Sequence, residues 1–178
     1  MHQNQKDSQD LTESGGMLYI HAVQQAMLPH LAWVLKDVLN QQPKISWQAQ
    51  EHMQGFVCAR LTWQAKAGTA ALLASALRQI PNIWFEISEE GSSQDLPGWF
   101  MYTPRLGIFY SATDHAGNFL INEDRVRAAY EKSLGDPDIL LKQFSLALGE
   151  AWNDELEPLR SAQGGQHKVI PIQASSRA

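Results

Sequence analysis

The chain has one cysteine, Cys58, among 178 residues, so no internal disulfide can form. That usage fits a reducing compartment, and the expected location is the cytoplasm. No apolar run approaches the roughly 20 residues that a membrane-spanning helix needs. The first apolar run, Met17 to Val23, follows a polar tail and is too short for the core of a secretory leader. Basic residues are scarce: Lys and Arg total 14 against 19 Asp and Glu, for a formal net charge of -5. Surfaces that track phosphates need clustered cations, so this balance speaks against nucleic acid as a partner. There is no glycine-rich phosphate loop and no nucleophile elbow. The six histidines, at positions 2, 21, 30, 52, 115 and 167, stand at no metal-ligand spacing. No metal and no cofactor is expected.

What is present is ordinary globular composition, 44% hydrophobic and 19% charged. Residues 1–16 are polar, end in Gly-Gly and read as a disordered tail. The pattern over 17–90 then predicts β-α-β-β-α-β. Strands are expected at Met17 to Val23, Lys44 to Gln50, Phe56 to Gln64 and Asn82 to Glu89, where apolar residues alternate. Between them, Leu28, Leu31, Leu35, Val38 and Leu39 make one helical stripe, and Leu72, Leu73, Ala76, Leu77 and Ile80 make another. Pro29 suits the first turn of the first helix, and Gly68-Thr69 can cap the second. This order implies α+β architecture of the ferredoxin-like kind, two helices on one face of a sheet ordered 4-1-3-2.

Residues 91–160 read as an extension packed on that unit within one domain, 17–160. It begins with a turn-rich linker and a short aromatic β-meander, Trp99–Thr103, Gly107–Thr113 and Phe119–Ile121. Two C-terminal helices are expected, opening at the caps Asn122 and Asp136, the second ending at Pro158. Residues 161–178 form a tail with a candidate edge strand at 169–172. The expected docking place for the extension is the sheet face left open by the first two helices.

Strand alternation puts Tyr19, His21, Cys58, Arg60, Thr62, Trp84 and Glu86 on that open face. His21 then lies between Glu86 and Arg60, the one convergence of polar residues of catalytic type. Tyr19, His21, Arg60, Trp84 and Glu86 are the candidate ligand-binding residues, with Arg60 pairing an anion and His21 moving a proton. The plainer reading pairs Arg60 with Glu86 and leaves His21 within that network. A Cys58–His21 thiolate pair lacks any signature around the cysteine.

Two other constellations are weaker. Glu150, Asp154 and Glu157 share one helix side and could hold Mg²⁺ or Ca²⁺, but a solvated acidic face explains them. Leu18 to Val23 and Gln54 to Leu61 resemble the two strand motifs of RNA-recognition domains, with Tyr19 and Phe56 as stacking aromatics. Cys58 replaces the second strand-three aromatic, and Gln54 the leading basic residue.

Three stretches, Ala67–Leu77 (AGTAALLASAL), Tyr102–Asn118 (YTPRLGIFYSATDHAGN) and Trp152–Arg160 (WNDELEPLR), are together similar to an actinobacterial family catalogued only as a domain of unknown function. The resemblance covers about residues 17–160. It implies an intracellular bacterial protein and transfers no site residue. The function expected from the residues is a non-catalytic binding or regulatory domain for a small molecule or protein partner, able to self-associate. The alternatives are a small enzyme using His21, Arg60 and Glu86, and an RNA-binding module using Tyr19 and Phe56.

Overall fold

Strand β1 runs Glu13–Gln24 and is the spine of the sheet. It starts four residues earlier than the sequence suggests, because Gly15 and Gly16 belong to the strand and not to a tail. Around Gly16 the neighbouring chains come close: a Cβ there would sit 1.9 Å from the Ser88 carbonyl oxygen. Only glycine lets β1 pass so near. The computed structural model describes residues 13–91 and 95–161. The rest of the expected tail and the candidate strand at 169–172 lie outside the described residues.

After β1 come a 3-10 turn (Gln25–Met27), α1 (Leu28–Leu39), β2 (Gln48–Ala49), β3 (Phe56–Lys66), α2 (Thr69–Leu77) and β4 (Trp84–Glu89). The extension supplies β5 (Gly98–Thr103), β6 (Gly107–Thr113), β7 (Phe119–Leu120), α3 (Glu123–Ser133), α4 (Pro137–Ala147) and α5 (Glu150–Ser161). Among the described residues the result is mixed α/β, with five α-helices and one open sheet of seven antiparallel strands ordered β2-β3-β1-β4-β5-β6-β7. The expected second strand shrinks to two residues, Gln48–Ala49, which pair with Cys58 and Val57.

Two helix boundaries correct the sequence reading. The extension has three helices, not two, because the chain turns at Gly149 with φ 74° and restarts as α5. A side chain there is excluded twice over, since a Cβ would lie 2.7 Å from Met101 Cε and 2.8 Å from Phe109 Cζ. Pro158 does not end the last helix, which continues through it to Ser161. Proline removes one backbone donor, and the turn that follows still buries Leu159 and Arg160.

One face of the sheet and helices α1 and α2 enclose the main core, with Leu31, Leu35, Leu73, Leu77, Phe85 and Ile87 among its fully buried residues. Leu72, expected on the α2 stripe, is instead exposed. The start of α2 is capped from the sheet: the Gly68 and Ala70 amides donate to the Glu89 carboxylate at 2.7 and 3.3 Å. The opposite face carries a second core of Met101, Phe109 and Leu156, the last brought by α5.

A bulge in β1 decides which residues face which core. Pairing with both β3 and β4 shifts by one residue after Ile20. Strict alternation would send Ala22 to the helix side with Leu18 and Ile20; the extra residue sends Val23 there instead. The bulge falls at His21-Ala22, where the polar residues of the other face gather.

Candidate functional site

The centre of the second face is a buried carboxylate. Glu86 sits in mid-β4, paired across to Tyr19 on β1 and Met101 on β5. Its side chain is 3% exposed and meets four donors. His21 Nε2 lies 2.6 Å from Glu86 Oε2. Arg160, in the last turn of α5, donates from Nε to Oε2 at 2.9 Å and from Nη2 to Oε1 at 2.5 Å. Trp99 Nε1 donates to Oε1 at 3.3 Å. A carboxylate only accepts, so the His21 nitrogen facing it carries the proton.

A further shell holds these groups in place. Arg160 Nη1 donates to Asn153 Oδ1 at 2.6 Å and to Glu157 Oε2 at 3.0 Å. Buried Gln50 donates from Nε2 to the carbonyls of His21 (2.6 Å) and Leu159 (3.3 Å). It thereby ties the bulge of β1 to the end of α5. Tyr19 stacks on His21 with ring centroids 6.2 Å apart. One atom is left over: His21 Nδ1 is buried and, among the described residues, without a hydrogen-bond partner.

The electrostatics follow from this shell. Burial alone pushes the Glu86 carboxyl up, but the hydrogen bonds and charges of His21 and Arg160 outweigh it and hold the group at about 2. For Arg160 burial works against the charge, and Glu86 with Glu157 overcomes it and raises the pKa. Tyr19 is raised, chiefly by burial, with Arg60 opposing and Glu86 adding.

The five sequence-derived residues are thus split. His21 and Glu86 touch. Tyr19 is packed beside them. Trp84 lies half-buried at the rim, edge-on to Phe56 at 6.1 Å. Arg60 does not join: it pairs across from Tyr19 on the far side of β1 and is exposed. The expected Arg60–Glu86 pair is therefore corrected to Arg160–Glu86, because α5 brings a guanidinium down onto the face from above. Cys58 is buried and donates to the Ala49 carbonyl at 3.9 Å.

Arg160 is the residue that sequence reasoning missed. The available signal was its isolation: it is the one cation of α5, beside Glu150, Asp154, Glu155 and Glu157. The acidic face is partly spoken for as well. Glu155 pairs with Arg105, and Glu157 with Arg160. Among the described residues no group of three or more His, Cys, Asp or Glu could hold a metal ion. Among the same residues no helix is long and apolar enough to cross a membrane.

The family model described as "Protein of unknown function (DUF3145)" matches residues 17–170. The chain belongs to this family. DUF3145 carries no assigned activity, and neither a curated protein nor a solved structure matches the chain. The matched span includes every member of the Glu86 cluster, so the buried bridge lies within the family's domain.

The bridge makes stability depend on pH. The folded Glu86 pKa of about 2 lies below the usual 4.5. Its contribution is therefore complete above 4.5 and is lost as pH falls through about 2. In urea unfolding at stepped pH, wild type should exceed Glu86→Gln by a few kcal/mol (on the order of 3) at neutral pH. The gap should narrow across that acid window. A gap that stays constant down to pH 2 would show that the carboxylate's charge is not what stabilises.

Proposed function

We propose that the chain is a non-catalytic binding or regulatory domain of the bacterial cytoplasm, built on a ferredoxin-like sandwich whose open face its own C-terminal helix seals. The order β4-β1-β3-β2 with α1 and α2 on one face supports the sandwich. The observation that carries the functional reading is the fate of the polar convergence. Glu86 spends both oxygens on donors from within the chain. His21 is 2% exposed and Arg160 5%. A general acid or base must reach its substrate directly or through one water, and these groups are closed in. The same burial speaks against a stacking platform of the kind RNA binding requires, since Tyr19 is 5% exposed.

Surface for binding exists elsewhere. Tyr130, Leu134 and Leu141 on the α3–α4 hairpin are 70%, 90% and 64% exposed. These exposed apolar side chains are the surface that the binding reading offers to a partner.

Diethyl pyrocarbonate mapping by mass spectrometry tests the sealed face. Exposed His30, His52 and His115 should be modified in the folded protein, and His21 only on unfolding. Modification of His21 at the pace of the exposed histidines would overturn the reading and return the site to the enzyme alternative, for which Nδ1, without a partner among the described residues, would be the reactive atom.

A further inference from the structure

The α3–α4 hairpin does not close fully on the sheet. Between it, β6 and α5 lies a cavity of about 300 Å³, the lower end of the range for small-molecule sites. Its walls are apolar where the sheet and α5 contribute Phe109 and Trp152. Its space exists because α3 presents Ala128 and Ala129 there, on the same helix side as Arg125 and Lys132. Among the described residues the lining holds two cations and no carboxylate. Among the described residues neither Arg125 nor Lys132 forms a salt bridge, whereas the neighbouring Arg127 is paired with Glu123.

Arg125 is already positioned. Its guanidinium lies over the Phe109 ring, 5.5 Å from the centroid, and Nη2 donates to the Tyr110 carbonyl at 3.0 Å. That bond uses one of five N–H donors, and the planar group is always charged. Lys132 is exposed, two helical turns along, about 10 Å away. A fixed guanidinium above an apolar hollow, with a second cation at its mouth, matches one ligand chemistry.

We propose that this cavity binds a small amphipathic anion, with its acidic head on Arg125, its apolar body against Phe109 and Trp152, and Lys132 steering it in. The proposal rests on the binding reading and names the ligand class for it. The head would gain charge-assisted hydrogen bonds that a neutral analogue cannot.

Octanoate and octan-1-ol are a matched charged and neutral pair of probes. The Trp152 indole N–H, donated to the Gly107 carbonyl at 2.9 Å, is an NMR reporter beside the cavity, assignable through Trp152→Phe. Octanoate should shift that resonance saturably, and octan-1-ol should bind about tenfold more weakly. Lys132→Met, at an exposed position, should weaken octanoate several-fold. Ala128→Leu fills the hollow and should abolish the shift while the remaining spectrum stays dispersed. Equal affinity for the two probes, or undiminished octanoate binding in Ala128→Leu, would overturn the proposal, as would the absence of any saturable shift. None of these outcomes bears on the sealed face, which histidine modification tests by itself.

Discussion

Arg160→Met should lower the free energy of unfolding by about 3–5 kcal/mol at neutral pH. Methionine keeps most of the arginine stem, so little packing is lost. What is lost is the charge that neutralises Glu86 and two of the hydrogen bonds to it. Among the described residues, the buried carboxylate would then keep His21 and Trp99 alone as donors. An ion taken out of water without its counter-ion is costly, while replacing both partners by apolar groups is often near neutral. Arg160→Met/Glu86→Leu should therefore recover a substantial part of the loss. Urea unfolding of the two single variants and the double variant closes the cycle. A loss below about 1 kcal/mol in Arg160→Met would place the bridge among surface pairs in its energetic weight. The same variant should also unfold at a less acid pH than wild type, since removing Arg160 removes part of what holds Glu86 low.

Gly16→Ala should cost about 3 kcal/mol or more, although it adds a single methyl group. That methyl would lie 1.9 Å from the Ser88 carbonyl oxygen and 2.6 Å from Trp63 Cζ2. Neither neighbour can give way cheaply. The first is backbone in the β1–β4 pairing, and the second is a buried indole of the main core. The strands must part where Gly16 faces Glu89 and Met17 faces Ser88. Gly55→Ala is the contrast: a Cβ there meets nothing within 4 Å, and only its positive φ of 80° is penalised. Thermal unfolding should separate the two by several degrees. Equal shifts would mean that the β1–β4 pairing gives way at Gly16 at little cost.

Local signals carried much of the architecture. The period-two runs around Leu18, Leu61 and Phe85 and the helical stripes through Leu35 and Leu77 are readable because each element's burial repeats along its own sequence. The caps at Asn122 and Asp136 are equally local, and both side chains accept the expected backbone amides. Gly149 was harder. The run from Ile139 to Trp152 keeps a helical apolar spacing across it, and only the positive φ breaks the helix.

The candidate site was half legible for the same reason. His21 and Glu86 lie on adjacent strands, and alternation alone puts them on one face, where they meet at 2.6 Å. Arg60 obeyed that rule and still went astray, because a face is wide. It stands beyond Tyr19, one strand further from Glu86.

Residue patterning located most of the elements, the shared face of His21 and Glu86, and a net acidity ill-suited to tracking phosphates. What closes that face was left to tertiary packing. Arg160 is 74 residues from Glu86, and no periodicity within α5 says which sheet residue it will reach. That choice depends on where a rigid helix lands when Leu156 packs against Met101 and Phe109, and this is a property of three elements at once.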